Sequence, residues 1–506
     1  MKSVWDYLYK RPLFLSGIIC AVLSAGLFYF GKAVLISSVI LAFMIGFVIL
    51  LRVDKRVLFA LVLVFVYSLS AYSTVSSIER TKRYIGTTFK AELVLCEVTY
   101  KSDGFYIADV KVRKSDFIDK GVKLSVFYSP RKLEVGDCFT ADVKLRDFNN
   151  NTFKRNSFSD SVYLSGSISN ITPTDNSDFL IKSAEKIRNY IKTVLRDNLN
   201  FSSAATAGAL LFGEKDYFTD DYSLKVRKAG VSHVMVVSGM HLAIITGLIL
   251  KLFKRKFFNR YLKAFIMLAV VGFLCLICGF TMSIMRAGVT YIIMAVGIAF
   301  DRYGTPENNL GGAVTAILCF SPFAIHSISF QLSVLSTFGI LVIALPLTDK
   351  IKGKYDFNFV ISYIIDSAVF SLSATLFTLP VVIYSFGGVS IVAIISNLVI
   401  SFAVTWALYA TVCAIAVNAI IPFTAFPFFY AAGVILSYIN FMIEYIGSLS
   451  FSYVSVNKNW GFAALFAIFF ALAVLVACKK RRNMLKLKRM NEKIVKEGGG
   501  KLKWRI

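Results

Sequence analysis

Charged residues and histidines are scarce in this chain of 506 residues. Only 17% of its residues are charged, 57% are hydrophobic, and histidine occurs three times. This composition excludes a soluble globular protein of the same length and is typical of a polytopic membrane protein. No GxxxxGK[ST] sequence occurs, so the chain lacks the P-loop with which many proteins bind ATP.

Cysteine is too sparse and too buried in apolar sequence to build a disulfide scaffold. Of the eight cysteines, six lie in apolar runs, where cysteine behaves as a small hydrophobic residue. Cys275 and Cys278 form a CxxC, but no second pair of ligands accompanies it. We therefore interpret this pair as packing and expect no bound metal or other cofactor.

Hydrophobic residues are present in runs long enough to cross a bilayer. A transmembrane helix needs about 20 apolar residues, and this length predicts about 12 helices. The predicted spans are 13–31, 33–51, 57–75, 231–250, 264–282, 284–300, 310–328, 330–347, 359–385, 389–420, 424–448 and 459–478. The first run lacks a convincing signal-peptide cleavage site, so we predict a retained helix.

The net charge of +26 indicates orientation in the membrane. Much of it lies in short clusters between the spans and in the last 28 residues. Placing both termini in the cytoplasm puts every strongly basic loop, and the basic tail 479–506, on the cytoplasmic face. The same assignment places residues 80–172 outside the cytoplasm. We interpret the tail as a solvated extension that touches lipid headgroups.

Residues 80–172 have a different pattern, in which apolar and polar residues alternate. This period of two predicts strands at 88–98, 104–113, 121–128, 137–146 and 161–171. Five short strands in about 90 residues suit a small closed barrel of the OB type. We interpret NNNTFKRNSF (149–158) as a polar loop between the last two strands.

OB-type barrels often bind single-stranded nucleic acid through a basic groove and stacking aromatic rings. Here Lys and Arg outnumber Asp and Glu only modestly, so charge alone does not predict such binding. Four aromatic residues either stack on bases or belong to the barrel core: Phe105, Tyr106, Phe127 and Tyr128. Cys96 and Cys138 fall in the first and fourth strands, which are neighbours in an OB barrel. We predict a disulfide between them, with two free thiols as the alternative.

Residues 173–230 lead from this barrel back to the membrane domain at 231–478. The sequence IKSAEKIRNYIKTVLRDNL predicts an amphipathic helix, and SSAATAGALLFG predicts a segment in or near the bilayer. Residues 1–79 contain the first three helices. The predicted protein is therefore a polytopic α-helical membrane protein with an inserted all-β domain.

The stretch Ala229–Gly247 (AGVSHVMVVSGMHLAIITG) combines apolar sequence with polar side chains that are costly in lipid. We predict a helix in which Ser238 and His241, three residues apart, share a face. His233 lies on a different face, so the two histidines do not form a metal pair. Three interpretations remain open: a polar contact between helices, the wall of a path for a hydrophilic substrate, or a hydrolase nucleophile and base.

Other polar side chains lie within or near the spans. Arg286 is either an arginine that reaches the membrane interface or a buried cation at the mouth of a pathway, where it would suit an anionic substrate. The other candidates for lining the same path are Gln331, Ser333 and Asn397. Asp366 and Glu444 raise the prospect of proton coupling, although a cation partner or a hydrogen bond would equally explain them.

In combination, the motifs resemble the ComEC family, the inner-membrane channel of bacterial natural transformation. Five segments match in order: Gly230, His233, Ser238, Gly239 and His241; then Gly279, Ser283, Arg286 and Ala287; then Arg302; then Pro322 with Phe330–Ser333; and LPVVIYSFGGVSIVAIISN at 379–397. The layout of N-terminal helices, an OB-like domain and a polytopic bundle also agrees, so the resemblance covers about residues 10–480.

The resemblance implies that the barrel receives DNA and that the bundle passes a single strand to the cytoplasm without itself being an enzyme. It implies an external DNA receptor, a separate nuclease and a cytoplasmic translocase or helicase as partners. One departure is that no HxHxDH motif is present. The sequence therefore resembles a member without the metallo-β-lactamase-like domain of many relatives. Two alternatives stay open, a proton-coupled transporter of a smaller solute and an intramembrane hydrolase using Ser238 and His241.

Overall fold

The structure is a computed structural model. In chain order, helices precede and follow one small β-barrel. It describes residues 10–31, 55–101, 106–128, 133–148, 151–214, 217–235, 237, 239–252, 259–279, 282–300, 304–353, 355, 357–457, 459–461 and 463. Two predicted spans, 33–51 and nearly all of 459–478, and the basic tail 479–506 lie outside these residues.

Among the described residues, seven helices are long and apolar enough to cross a membrane. They are α1 (Pro12–Phe30), α2 (Lys55–Lys82), α8 (Arg260–Ile277), the continuous unit α11–α12 (Ile328–Gly339 and Leu345–Lys352, joined by a π-turn at Ile340–Ala344), α13 (Phe359–Phe386), α14 (Ala393–Ile420) and α15 (Phe426–Ser448). The prediction of a polytopic helical membrane protein is thereby confirmed.

Shorter helices complete the bundle. They are α4 (Phe179–Asn198), α5 (Phe201–Phe212), α6 (Asp220–Lys228), α7 (Gly239–Leu252), α9 (Met282–Ala299) and α10 (Pro306–Phe320). Several helices begin where a polar side chain accepts from a free backbone N–H, as Asn259, Thr305 and Asn358 do. Two short strands, β6 (Gly388–Ser390) and β7 (Tyr453–Ser455), pair beside the bundle.

One predicted span is wrong in its first half. The helix predicted over 231–250 begins only at Gly239, and residues 232–234 form a turn. Gly230 has a left-handed backbone (φ +76°), which stops α6 from running on into α7. His233 therefore lies on a loop before the helix that carries His241.

Residues 88–177 form the predicted barrel. Its strands are β1 (Thr88–Lys101), β2 (Tyr106–Lys114), β3 (Lys123–Tyr128), β4 (Asp137–Arg146) and β5 (Val162–Ser177), closed in the order β1-β2-β3-β5-β4. Only the β3–β5 pairing is parallel in this barrel. Alternate side chains fill the interior, among them Leu95, Val110, Leu124, Phe139, Leu145 and Leu164.

Two expectations for the barrel differ from the structure. The segment expected to be a polar loop contains a helix, α3 (Asn151–Ser159). The structure does not contain the disulfide predicted between Cys96 and Cys138, because the direct partner of Cys138 across the strands is Val94. Instead, Arg113 Nη1 lies 3.0 Å from Cys138 Sγ.

The barrel is attached to the bundle through α2 and α3. Helix α2 continues from its membrane segment to the barrel, where Arg80 forms a 3.0 Å ion pair with Asp119. Helix α3 packs on the turn between α10 and α11: Arg155 Nε donates to His326 Nδ1 at 3.2 Å, and the Phe158 and Phe323 rings meet edge to face. These contacts define one end of the bundle, which we call the barrel side.

Helix α4 forms a third connection between the barrel and the bundle. At its start, Lys182 Nζ forms a 2.8 Å ion pair with Asp137 of β4. Two turns later, Arg188 Nε donates to the carbonyl oxygen of Ile277 at 2.9 Å, which satisfies an open carbonyl at the C-terminus of α8. The ends of α8 and α9 that adjoin residues 278–281 therefore lie on the barrel side.

The N-terminal helix α1 is packed tightly into the bundle. A Cβ on Gly311 of α10 would lie 2.3 Å from the Cα of Phe14, so the two helices cross almost backbone to backbone. Beside this crossing, the hydroxyls of Ser16 and Thr315 are 3.0 Å apart in a buried hydrogen bond. Small residues permit this close approach, which is how helices associate in lipid.

Candidate membrane pathway

The loop before α7, described at residues 230–235 and 237, joins two parts of the bundle on the barrel side. A Cβ on Gly230 would lie 2.6 Å from the Cβ of Ala393 and 2.8 Å from the hydroxyl of Ser390. The loop therefore rests directly on the start of α14, and Val231, Val234 and Met235 are buried against this part of the bundle. Only glycine combines the required backbone conformation with this lack of space.

The other end of the loop packs against α9. A Cβ on Gly239 would lie 3.5 Å from the Cβ of Ala287, and Val237 shares an apolar cluster with Ala287 and Ile284. The loop is thus held between the N-terminal ends of α9 and α14. This arrangement brings together two motifs that are distant in sequence, the histidine-containing stretch and the Arg286 segment.

The two histidines of this stretch have different environments. His233 is exposed on the loop, whereas His241, in the first turn of α7, is fully buried. Helix α7 as described begins at Gly239, so the structure does not test the face that we predicted for Ser238 and His241 together. Ser238 itself lies outside the described residues.

Arg286 lies in the second turn of α9, immediately before Ala287. The residue is only 7% exposed, and no acidic side chain among the described residues forms an ion pair with it. Its Nη1 is buried and has no hydrogen-bond partner in that part of the chain. A buried guanidinium with an open donor is energetically costly, so a ligand or water is expected to face it. The interpretation as a snorkelling side chain does not fit this burial.

Asn397 lies one turn into α14 from the Gly230 contact. Its Nδ2 donates to Ser371 Oγ of α13 at 2.9 Å, which ties these two helices together. Its Oδ1 is buried without a partner among the described residues, as is the hydroxyl of Ser390. Buried polar atoms are normally satisfied by protein or by ordered water. We therefore expect this region of the bundle to be hydrated.

Gln331 and Ser333 belong to a different set of contacts. Gln331 Nε2 donates to the carbonyl of Ile325 at 2.8 Å, which fastens α11 to the turn that receives α3. The carbonyl oxygen of Ser333 accepts from Thr337 Oγ1 at 2.8 Å, a bond within α11. Gln331 therefore contacts the backbone at the junction between the bundle and the barrel.

Asp366 and Glu444, the two acidic residues predicted within or near the spans, each interact with a lysine. Asp366 forms a 2.5 Å ion pair with Lys352, which fits the alternative of a cation partner. Glu444 is exposed and interacts electrostatically with Lys225. Near it, Asn440 is buried and accepts from the hydroxyls of Thr206 and Tyr222, at 2.6 and 2.8 Å.

Sequence reasoning missed the residues that hold this region in place. No sequence pattern pointed to Arg188, Ser371 or Ser390, because each contacts a residue that is distant in the chain. His326 is the third histidine of the chain. Its contact with Arg155 could not be predicted, because it depends on how α3 packs against the turn between α10 and α11. Gly230 could have been found, since a glycine between a basic helix and an apolar run predicts a helix end.

The fold and these contacts define a polytopic membrane protein with an inserted OB-type barrel and a polar loop held between its helices. The model of the family described as "Competence protein" matches residues 210–482, more than half of the chain. The chain therefore belongs to the competence protein family. This region contains the loop, Arg286 and Asn397.

Two curated relatives are similar to parts of the chain. ComE operon protein 3 of Bacillus subtilis (strain 168) is 23% identical over 232 residues, which are 46% of this chain and 28% of the relative. The uncharacterized protein MG316 homolog of Mycoplasma pneumoniae (strain ATCC 29342 / M129 / Subtype 1) is 31% identical over 113 residues, 22% of this chain and 29% of that protein. The chain thus spans less than a third of the length of each. No solved structure matches the chain.

Proposed function

We propose that this protein is a channel that imports single-stranded DNA across the bacterial cytoplasmic membrane during competence. Membership of the competence family supports a role in DNA uptake. The observation that carries the finer proposal is Arg286, a buried cation with an open donor beside the loop before α7. A phosphate of a passing strand would supply the missing acceptor and the missing charge.

The surroundings of Arg286 support a path for a hydrophilic chain. Phosphates cannot enter lipid, so the strand needs a wet, protein-lined route. The exposed His233 and the open acceptor of Asn397 belong to the same end of the bundle as the contact of Gly230 with α14. We assign these groups, with Ser238 and His241, to the entrance of the route.

The barrel is the proposed receiving domain, outside the cytoplasm, and both chain termini are cytoplasmic. Phe127 is 40% exposed on the outer face of β3. It pairs with Ser167 of β5, and Ser167 pairs on its other side with Lys144 of β4. An aromatic ring near a lysine suits stacking and phosphate contact with a single strand. Tyr128 is buried and supports the core instead.

Other proteins would complete the process. We propose that an external receptor delivers DNA, that a separate nuclease degrades the second strand, and that a cytoplasmic translocase or helicase pulls the strand inward. This chain would act without catalysis of its own.

A photo-crosslinking experiment in cells that take up labelled DNA tests the channel directly. A photoreactive residue at His233 is expected to crosslink to DNA in transit, whereas one at Trp406, exposed on the side of α14, is not. Equal crosslinking at both positions, or none at His233 while uptake proceeds, would contradict this route. A transporter of smaller solutes would leave both positions free of DNA.

A further inference from the structure

The longest uncharged segment of the sequence covers the whole of α14, most of α13 and α15, and the turns at the two ends of α14. No Asp, Glu, Lys, Arg or His occurs between Asp366 and Glu444, a run of 77 residues. One of the turns within it, at β6, is packed against the bundle near Gly230. The other turn, Ile420–Phe426, joins α14 to α15 at the opposite end of α14, and we call it the hairpin tip.

The hairpin tip is apolar and exposed. Ile420 is 79% exposed, Phe423 95% and Phe426 70%. A soluble loop of this kind would present its large hydrophobic side chains to water, which proteins generally avoid. The preceding turn on the same side of the membrane is different, because α12 ends there with Lys350 and Lys352.

Three of the five backbone N–H groups between Ile421 and Phe426 have a hydrogen-bond partner among the described residues. The N–H of Ile421 donates to Val417 at 2.7 Å, that of Thr424 to Ile421 at 3.1 Å and that of Ala425 to Pro422 at 3.2 Å. Two prolines, at 422 and 427, have no N–H to satisfy. The Thr424 hydroxyl donates to the carbonyl of Ile421 at 3.0 Å. Irregular backbone in lipid needs internal bonds of this kind, and the remaining N–H groups, those of Phe423 and Phe426, would be satisfied at the headgroup level of the bilayer.

We propose that the hairpin tip is immersed in lipid, so that the α14–α15 hairpin turns within the bilayer and offers no water-facing loop on that side. Lipid is favoured over a soluble partner protein because the tip, the whole of α14 and the part of α15 before Glu444 carry no charge that could steer or orient such a partner. Helices α14 and α15 have 28 and 23 residues, lengths of about 42 and 35 Å, which fit within a bilayer of about 40–45 Å including its headgroup regions.

Site-specific labelling of the full-length protein in membrane vesicles tests this proposal. Phe423→Cys is compared with Tyr355→Cys, which is exposed near the end of α12 on the same side as the hairpin tip. Peptide mass spectrometry separates each site from the native cysteines. In permeabilised vesicles, a membrane-impermeant maleimide is expected to label position 355 at least tenfold faster than position 423. A lipophilic maleimide is expected to label both positions.

Three other results would overturn the proposal. Equal labelling of both positions by the impermeant reagent would place the hairpin tip in water. Labelling of position 423 in vesicles of purified protein but not in native membranes would show that a partner protein covers it. Failure of both reagents at position 423 would show that the tip is buried in protein. A thermal melt of each variant confirms that the fold is retained.

Discussion

Arg286 is the residue on which the proposed route depends most. Removal of its charge by Arg286→Gln is expected to reduce DNA import about tenfold or more, since a charge-assisted hydrogen bond contributes roughly 1.5–3 kcal/mol. Arg286→Lys should retain part of the activity because it keeps the positive charge. The measurement is nuclease-protected label in the cytosol at equal membrane levels of each variant.

A matched control for this substitution is Arg260→Gln. Arg260 is exposed at the start of α8, whereas Arg188 contacts the opposite end of this helix. The variant therefore also loses one positive charge, but at the far end of α8. Import by the Arg260 variant should stay near that of the unchanged protein. Normal import by Arg286→Gln would remove Arg286 from the route.

Asp109 gives the barrel a dependence on pH. Burial, and then the neighbouring carboxylate of Glu97 across the strands, raise the pKa of Asp109 to about 6. Its charged form is therefore disfavoured in the folded barrel, so the stability that Asp109 contributes is present near pH 4 and is lost as the pH rises through 6. Asp109→Asn should stabilise the barrel at pH 7.5 by about 1 kcal/mol, a value reduced for partial exposure, and should change little at pH 4.

The sheet band of the infrared spectrum can follow this effect in the full-length protein in detergent, because the barrel holds nearly all the described strands. The matched control is Asp142→Asn on β4, where Asp142 Oδ2 accepts a hydrogen bond from Asn170 Nδ2 at 2.8 Å. A stability gain of Asp109→Asn that is equal at pH 4 and pH 7.5 would contradict the assigned titration.

At the scale of helices, the crossing of α1 and α10 is expected to be sensitive to volume. Gly311→Leu would force the backbones apart, and overpacking of this kind costs about 1–3 kcal/mol or more. The control is Gly272→Ala in α8, where a Cβ meets no atom within 4 Å. Thermal unfolding in detergent should show a lower midpoint for the Gly311 variant only. An unchanged midpoint would mean that the two helices do not approach as closely as described.

The helices and strands were largely predictable because their physical causes are local. Runs of apolar residues fix where α1, α8 and α13 lie, and alternation fixes the five barrel strands. The start of α7 was not predictable from hydropathy, since the loop before it is as apolar as a helix. What ends the preceding helix there is Gly230, whose conformation is required by its contact with α14.

For the whole molecule, the barrel and the bundle are connected at three places, and the proposed channel would pass a strand from one to the other. Phe127→Ala is expected to weaken binding of single-stranded DNA by the full-length protein in lipid nanodiscs, because a stacked base contributes about 1–3 kcal/mol. Phe179→Ala removes an aromatic ring outside the barrel that is more exposed than Phe127, at 79% against 40%, and should leave binding unchanged. Affinity should also fall as salt rises. Equal binding by both variants would remove Phe127 from the receiving surface.

The candidate site was only partly predictable from the sequence. Arg286 and Asn397 attracted attention as polar residues in apolar spans, and the structure gives each an open buried atom. Gln331 attracted attention for the same reason, yet its partner is a backbone carbonyl at the barrel junction. Composition cannot separate these cases, because both depend on contacts between segments far apart in the chain.

The measurement that tests the central claim most directly follows labelled DNA into the cytosol of cells with and without this protein. The proposed channel predicts nuclease-protected, single-stranded label in the cytosol only when the protein is present, with equal DNA bound at the cell surface in both strains. Equal protected label in the cytosol of both strains would contradict the account.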